Sequence, residues 1–287
     1  MDVVCSIESL NEALTSIDSA ESVALVPTMG NLHAGHLSLV ARARELADRV
    51  VVSIFVNPMQ FGADEDLNAY PRTLQQDIEK LQSAGADLLF SPTVEDIYPE
   101  GIAPHTQVQV PGLTDILCGA SRPGHFDGVT TVVCKLLNLV GPDVALFGEK
   151  DLQQLLVIRK MTADLCIPVA IEGVPIVRDA DGLALSSRNQ YLSPDERAKA
   201  VVLPRTIRHC IDTIDAGARN FEALAVKAQK TLTEAGFSVD YFAIRRTRDL
   251  QPATAEDNDL ALLVAARIGK TRLIDNMTVR LAQSDEA

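Results

Sequence analysis

Residues 22–36 have the sequence SVALVPTMGNLHAGH, a short β-branched run followed by a turn rich in glycine and histidine. The run Ser22–Val26 is typical of a buried strand, and apolar residues recur at helical spacing from His36 to Asp48. The stretch therefore predicts a strand, a tight turn and a helix. In an open α/β sheet, ligands bind at the carboxyl ends of the strands, which is where this turn lies.

Strand and helix patterns continue to alternate as far as residue 177. Val50–Val56 is continuously apolar, as parallel strands buried on both faces are. Further strands are expected over 86–90, 144–147 and 169–177, and helices over 70–84, 129–139 and 151–165. The alternation predicts an α/β fold with a Rossmann-like, mainly parallel sheet.

The pattern changes after Asn189. Ser193-Pro194-Asp195-Glu196 combines an N-cap serine with proline and glutamate in the first helical turn, which predicts a helix to Asp215. A second helix is expected over 221–235, and strands over 239–245, 260–267 and 271–277. We therefore predict two domains, a Rossmann-like domain over 1–180 and a smaller C-terminal α+β domain over 181–287.

Composition excludes several classes of protein. The 287 residues are 47% hydrophobic and carry a net charge of −13, so a disordered chain is excluded and a nucleic-acid surface is disfavoured. The five cysteines contain no Cys-x-x-Cys pair, which gives no sign of a zinc knuckle or a disulfide framework. Because there is neither a signal peptide nor a long apolar run, we expect a soluble, cytoplasmic protein without nucleic-acid or membrane partners.

The turn after the first strand offers groups that suit an anion. Gly30 and Gly35 allow the backbone to approach a ligand closely, and a helix N-terminus attracts phosphate. His33 and His36 could donate hydrogen bonds to charge that develops at phosphorus. The alternative is that one histidine caps the helix and the other packs. The sequence gives less support for a metal site at the two histidines, because no third ligand is obvious nearby.

Two further motifs follow predicted strands. Gln60, in FVNPMQF, carries an amide that can donate to a carboxylate and accept from a hydroxyl, although it could be a polar turn residue. In GEKDLQQ, Lys150 lies beside a helix start and could pair with phosphates, whereas Asp151 could bind a ribose hydroxyl or a metal-bound water. Lys150 and Asp151 could equally form a solvated surface pair. Only one of Gln153 and Gln154 can face a site, because they lie on different faces of the helix.

The predicted domain boundary carries LSSRN, residues 185–189. Two hydroxyls and an arginine in a loop near glycine form a phosphate clamp, and the alternative is an ordinary linker. A few local cations can bind an anion even in an acidic protein. The cations that we expect to do so are His33, His36, Lys150, Arg178 and Arg188.

The ten residues 27–36, PTMGNLHAGH, resemble the signature of pantothenate synthetases (pantoate–β-alanine ligases), which belong to the nucleotidylyltransferase superfamily. The bare His-x-Gly-His is shared more widely, including with class I aminoacyl-tRNA synthetases. The resemblance extends over roughly residues 22–280. Its further blocks are DLNAYPRT at 66–73, RPGHFDGV at 122–129, GEKDLQQ at 148–154, LSSRN at 185–189 and LIDN at 273–276.

The resemblance implies ATP-dependent condensation of pantoate with β-alanine to pantothenate, through a pantoyl adenylate, with release of AMP and pyrophosphate. It also implies Mg²⁺, a homodimer, a nucleotide- and pantoate-binding domain over 1–180 and a lid over 181–287. His36, His33 and Lys150 would be catalytic, and Gln60 and Gln154 would bind pantoate and β-alanine. The ATP-binding residues would be Pro27, Thr28, Met29, Gly30, Asn31, Leu32, His33, Ala34, Gly35, His36, Gly148, Glu149, Lys150, Asp151, Val177, Leu185, Ser186, Ser187 and Arg188.

Three alternative interpretations are compatible with the sequence. Asp77 is a candidate magnesium ligand, directly or through water, or a histidine partner, and its alternative is a surface carboxylate on a helix. A nucleotidylyltransferase that moves AMP onto a phosphorylated acceptor would share the first turn without needing Gln60 or Gln154. A nucleotide-sensing module without turnover would have lost residues such as His36 and Lys150, and both are present.

Overall fold

The computed structural model describes residues 1–62, 65 and 67–281. Asp66, in the DLNAYPRT block, lies outside the described residues. The chain forms two compact units, an N-terminal unit of Met1–Glu149 with Gln153–Pro175 and a C-terminal unit of Lys150–Leu152 with Ile176–Ala287. The sequence placed a boundary at residue 180, and it gave no sign that Lys150–Leu152 would group with the C-terminal unit.

A six-stranded sheet with the strand order β1-β4-β3-β2-β5-β6 forms the N-terminal unit. Every neighbouring pair in it is parallel. The predicted α/β class is therefore confirmed. The strands are β1 (Asp2–Val4), β2 (Val23–Thr28), β3 (Arg49–Ile54), β4 (Leu88–Phe90), β5 (Val144–Gly148) and β6 (Ala170–Val174).

Helices connect these strands, as parallel pairing requires. Alternate residues of the central strands, such as Val26, Val52 and Leu146, lie in one buried cluster with Val40 and Ala43 of the helix after β2. Within the described residues, no helix is both long enough and apolar enough to cross a membrane. The helices are α1 (Ile7–Thr15), α2 (Ala34–Leu46), α3 (Leu74–Ala84), α4 (Val94–Ile97), α5 (Cys118–Ser121), α6 (His125–Val140) and α7 (Leu152–Asp164).

The first strand and helix were not predicted. β1 has three residues and pairs only with β4, so it is too short to show a periodic pattern. α1 begins with a reciprocal cap between Ser6 and Ser9, which replaces the glutamate or glutamine of the usual signature. β6 ends at Val174, earlier than predicted, because Pro175 has no N–H to donate to a neighbouring strand.

The C-terminal unit is an α+β unit, as predicted, with an antiparallel sheet in the order β7-β8-β9. The single helix expected after Ser193 is two helices that meet at Val201. Pro204 explains the break, because it has no N–H to continue the hydrogen bonding of the first helix. The elements are α8 (Pro194–Ala200), α9 (Val202–Asp215), α10 (Phe221–Glu234), β7 (Ser238–Arg246), β8 (Asp259–Ile268) and β9 (Thr271–Arg280).

Core packing in the N-terminal unit gives a stability prediction. Leu146 on β5 has no exposed surface, whereas Leu165 is 51% exposed. Leu146→Ala should lower the free energy of unfolding by about 2–5 kcal/mol, because it leaves a cavity, and urea denaturation measures the loss. The control Leu165→Ala should change it by less than about 0.5 kcal/mol. Equal losses in the two variants would contradict the assigned core.

Candidate active site

The turn between β2 and α2 has an unusual backbone. Gly30 and Asn31 both adopt left-handed conformations, with φ of 78° and 51°. A Cβ atom at Gly30 would lie 3.1 Å from Ile54 Cγ2 and 3.2 Å from Asp77 Oδ2. Glycine is therefore favoured here both by the dihedral angle and by the space available.

The two histidines of this turn hold each other through the backbone. His33 is the N-cap of α2, and its Nδ1 accepts the N–H of Gly35 at 3.1 Å. Nδ1 of His36 accepts the N–H of His33 at 3.2 Å, and the two ring centroids are 4.1 Å apart. Because each Nδ1 accepts a hydrogen bond, the ring hydrogen of the neutral imidazole lies on Nε2. His33 therefore caps the helix, as the alternative interpretation held for one of the two histidines, and each ring can donate a hydrogen bond only from Nε2.

The carboxylate of Asp77, on α3, supports the same turn. Its Oδ2 accepts the N–H of Asn31 at 2.8 Å, and its Oδ1 accepts the N–H of Leu32 at 2.8 Å. The hydroxyl of Thr73 donates to Oδ2 at 3.0 Å, and Lys80 Nζ donates to the carbonyl of Leu32 at 2.7 Å. The backbone N–H and C=O groups of the turn are thus bound by side chains on or next to a neighbouring helix.

Asp77 is completely buried, so the alternative that it is a surface carboxylate is wrong. Both of its oxygens accept hydrogen bonds from the protein, so the geometry favours support of the turn over the expected contact with magnesium. In the part of the chain that the structure describes, no group of three or more His, Cys, Asp or Glu side chains could hold a metal ion.

Gln60 lies in the 3₁₀ turn Pro58–Gln60 after β3, and a buried asparagine orients it. Nδ2 of Asn57 donates to Gln60 Oε1 at 3.1 Å and to the carbonyl of Gly128 at 3.0 Å. Oδ1 of Asn57 accepts the Tyr98 hydroxyl at 2.8 Å and the N–H of Met59 at 3.2 Å. These four contacts use the hydrogen-bonding capacity of the Asn57 amide, so its orientation is fixed.

The orientation of Asn57 determines that of Gln60. Since Gln60 Oε1 accepts from Asn57, its Nε2 points the other way and lies 3.0 Å from Met29 Sδ. Gln60 therefore contacts the turn that carries the histidines through Met29. Burial raises the pKa of Tyr98 to about 12, so its hydroxyl remains a donor to Asn57 at neutral pH.

Two residues of α6 pack against the turn that carries Gln60. A Cβ atom at Gly128 would lie 2.5 Å from the carbonyl oxygen of Met59, so only glycine allows this approach. Nδ1 of His125 lies 2.8 Å from the carbonyl oxygen of Gln60, and Nε2 of the same histidine lies 2.9 Å from Arg122. The motifs FVNPMQF and RPGHFDGV contain Asn57 and Gly128, but the sequence does not indicate a role for either residue.

The adjacent glutamines of α7 differ in their surroundings. Gln153 is buried, donates to the carbonyls of Leu113 and Ile116 at 2.8 Å each, and accepts the N–H of Cys118 at 3.1 Å. Its amide is thus committed to a loop of the backbone. Gln154 is half-buried, which agrees with the expectation that only one glutamine faces a site.

Several of the remaining predicted residues, from Lys150 to Arg188, belong to the C-terminal unit. Lys150, in the 3₁₀ turn Glu149–Asp151, has its Nζ 3.7 Å from Asp151 Oδ2, and its side chain is 20% exposed. Leu185 donates its N–H to the carbonyl of Val177 at 3.0 Å, which closes a hairpin. Next in the chain, Ser186 Oγ accepts the N–H of Arg188 at 3.2 Å and starts a further 3₁₀ turn.

Arg178 does not have the expected anion-binding role. Its guanidinium forms two hydrogen bonds of 2.8 Å with the carboxylate of Asp275, which is 2% exposed. It also donates to the carbonyls of Gly182 at 3.0 Å and Asn276 at 3.1 Å. These four hydrogen bonds favour a structural role for Arg178 over the binding of a phosphate.

A family model described as pantoate-beta-alanine ligase matches residues 2–278. The chain belongs to this family. It is 55% identical over 282 residues to the pantothenate synthetase of Pseudomonas fluorescens (strain Pf0-1), a match that covers 98% of this chain and 99% of the relative. The predicted family and ligase class are thus confirmed.

Solved structures of the family agree with the fold. The pantothenate synthetase of Thermus thermophilus is 48% identical, with a TM-score of 0.90 and coverage of 96% of this chain and 99% of that one. The pantoate-beta-alanine ligase of Francisella tularensis, complexed with beta-gamma ATP and beta-alanine, is 37% identical, with a TM-score of 0.80 and coverage of 96% and 97%. The arrangement of a parallel sheet and a smaller C-terminal unit is therefore that of the family.

The support of the histidine turn gives a testable prediction. Asp77→Asn replaces one accepting oxygen with an NH₂ group, which must then face a backbone N–H donor. The turn should shift, and kcat for ligation should fall by about 10–100-fold, since a displacement of about 1 Å can cost that much. Steady-state kinetics and urea denaturation measure the two effects.

Asp143→Asn is the matched control for this change. Asp143 Oδ2 accepts the N–H of Val23 at 2.8 Å, at the opposite end of β2 from the histidine turn. The amide oxygen of this variant can still accept the N–H of Val23, and the histidine turn is left intact. Its kcat should therefore stay within about twofold of the original value. An equal loss of kcat in both variants would refute the role of Asp77.

Proposed function

We propose that this chain joins pantoate to β-alanine in two steps, with ATP activating the pantoate carboxylate. The proposal is carried by the family match over residues 2–278, together with a histidine turn at the carboxyl end of β2. A carboxylate is a poor acyl donor, because its leaving group would be oxide. The complex of the Francisella tularensis relative with beta-gamma ATP and beta-alanine supports ATP and β-alanine as the ligands.

In the first step, a carboxylate oxygen of pantoate attacks the α-phosphorus of ATP, which forms pantoyl adenylate and releases pyrophosphate. In the second, the free amine of β-alanine attacks the acyl carbon, the C–O bond to the phosphate breaks, and AMP leaves with that oxygen. The amine loses a proton as pantothenate forms. No side chain becomes covalently attached, so catalysis consists of positioning and stabilisation of charge.

His33 and His36 are assigned to the α-phosphate. The tautomer of the two imidazole rings supports this assignment. Each Nδ1 accepts a backbone N–H, so each ring carries its donor hydrogen on Nε2. As the pentacovalent phosphorus gains negative charge, these donors bind it more strongly than they bind the ground state.

The departing pyrophosphate is assigned to Lys150 and to Ser186, Ser187 and Arg188. A lysine and an arginine with neighbouring hydroxyls suit the charge and the oxygens of two phosphates. Gln60 and Gln154 are assigned to pantoate. Asn57 turns the Nε2 donor of Gln60 away from itself, which suits a carboxylate or hydroxyl oxygen of the substrate.

Mg²⁺ would neutralise the charge of the triphosphate. Since the described residues contain no cluster of ligands for it, we propose that it binds mainly to phosphate oxygens and water, as this cation prefers, with Asp151 as the carboxylate that could contact a bound water. We also propose a cytoplasmic homodimer, on the strength of the family resemblance. Sedimentation equilibrium tests the dimer.

Adenylation can be tested without the second substrate. The chain should exchange labelled pyrophosphate into ATP when pantoate is present and β-alanine is absent. His36→Ala should lower this rate by about 100–1,000-fold, the usual cost of one donor to a developing oxyanion. Unchanged exchange in His36→Ala would remove its assigned role.

His209→Ala is the matched control, because His209 is an exposed residue of α9. It should leave the exchange rate unchanged. Exchange that requires a phosphorylated acceptor instead of pantoate would favour the alternative nucleotidylyltransferase.

The orientation of Gln60 gives a second prediction. Tyr98→Phe removes the hydroxyl that donates to Asn57 Oδ1, so one of the four contacts that orient the Asn57 amide is lost and the Gln60 donor is less well fixed. The KM for pantoate should rise by about 3–10-fold, the worth of one hydrogen bond. The KM for ATP in the same assay is the internal control and should not change. Equal rises in both KM values would contradict the network.

A further inference from the structure

We infer that Asp275 and Asn276 on β9 are positioning residues for Lys150 and for the segment Ser186–Arg188, an inference that rests on the phosphate roles proposed for those residues. We call this dipeptide the β9 clasp. Neither residue is assigned a contact with the reacting atoms. Each acts through a backbone or side-chain group of a segment to which such a contact is assigned.

Asn276 holds the backbone of Lys150. Its Nδ2 donates to the carbonyl oxygen of Lys150 at 2.8 Å, and the residue is only 4% exposed. Lys150 itself belongs with β9 in the C-terminal unit, although Glu149 on one side and Gln153 on the other belong to the N-terminal unit. The amide therefore fixes the peptide from which the Lys150 side chain extends.

Asp275 binds Arg178 and so holds the hairpin that precedes the segment Ser186–Arg188. The guanidinium that Asp275 binds also donates to the carbonyl of Gly182, and Arg178 pairs with Ala184 across the hairpin. Asn189 Nδ2 donates to the carbonyl of Ala184 at 3.0 Å, which ties the far end of the loop to the same hairpin. The strand β9, which binds Arg178, thus determines the position of Ser186.

The two residues of the clasp are bound to each other as well. The N–H of Asn276 donates to Asp275 Oδ1 at 2.7 Å, and the carbonyl of Asn276 accepts from Arg178 at 3.1 Å. The 3₁₀ turn Ser187–Tyr191 also packs on β9. One dipeptide therefore links the two segments that carry the cations for the departing phosphates.

A purely stabilising role explains this arrangement poorly. A largely buried ion pair such as Arg178–Asp275 gains little net stability, because desolvation offsets the attraction, and apolar residues would serve as well. A paired carboxylate and guanidinium do, however, fix a geometry, since both oxygens and two donors must align. Such a requirement suits a segment whose cation must reach phosphate oxygens.

A double-mutant cycle between Asn276→Ala and Lys150→Ala tests the inference, with pantoate-dependent ATP–pyrophosphate exchange as the readout. Asn276→Ala alone should lower the exchange rate by about 10–100-fold through displacement of Lys150, while the KM for β-alanine is unchanged. In the Lys150→Ala background, the same change should cost less than about twofold, because residues that act through one group are not additive.

Gln229→Ala is the matched control. Gln229 Nε2 donates to the carbonyl of Phe242 at 3.2 Å in the same unit, so it makes the same kind of contact away from the cations. It should leave the exchange rate unchanged. Thermal melting of every variant separates misfolding from displacement, and Asn276→Asp, which keeps the shape but cannot donate to the carbonyl, should reproduce the loss if Asn276→Ala does not fold.

The outcomes separate this inference from the proposed function. Normal exchange in Lys150→Ala would refute the assigned role of Lys150, whereas a large loss there with normal exchange in Asn276→Ala would refute only the clasp. An Asn276→Ala loss of the same factor in both backgrounds would show a general structural effect and would also overturn the inference.

Discussion

The carboxylate of Asp77 binds two consecutive backbone N–H groups in the turn between β2 and α2, and the placement of both catalytic candidates depends on it. Gly30 and Asn31 reverse the chain in left-handed conformations, which is unfavourable for asparagine unless its surroundings hold it there. Two successive N–H groups of such a turn form a concavity that suits an anion. The protein supplies that anion itself. His33 and His36 are therefore placed before any substrate binds, as electrostatic preorganisation requires.

The same principle recurs at two other groups with a proposed ligand-binding role. Asn57 orients Gln60, and Asn276 holds the backbone of Lys150. In each case a buried amide with fixed partners binds a more exposed residue. The orientation of the amide therefore determines how the more exposed residue is placed. The net charge of −13 does not oppose anion binding, because the cations concerned are few and local.

Sequence reasoning identified the fold because its main signals are local. Apolar strand runs, helical periodicity and the turn after β2 can each be read within a window of about 15 residues. It missed β1 because three residues show no period, and it joined α8 to α9 because the capping signal at Ser193 outweighed Pro204.

The roles of Asp77 and Arg178 could not be obtained in this way. Asp77 binds a turn that lies 45 and 46 residues earlier, and Arg178 binds a carboxylate 97 residues later. A charged residue near a motif looks the same in the sequence whether it binds a ligand or a distant part of its own chain. Only the long-range pairing distinguishes a phosphate ligand from a structural cation, and for Arg178 that pairing favours the structural role.

In the proposed order of steps, the pantoate carboxylate attacks the α-phosphorus before the amine attacks the acyl carbon. The most direct test uses pantoate labelled with oxygen-18 in its carboxylate, together with ATP and β-alanine, and mass spectrometry of all products. One labelled oxygen is expected in AMP and one in the amide carbonyl of pantothenate, with none in pyrophosphate. Formation of ADP with label in inorganic phosphate would contradict the adenylate route, because that label requires an acyl phosphate.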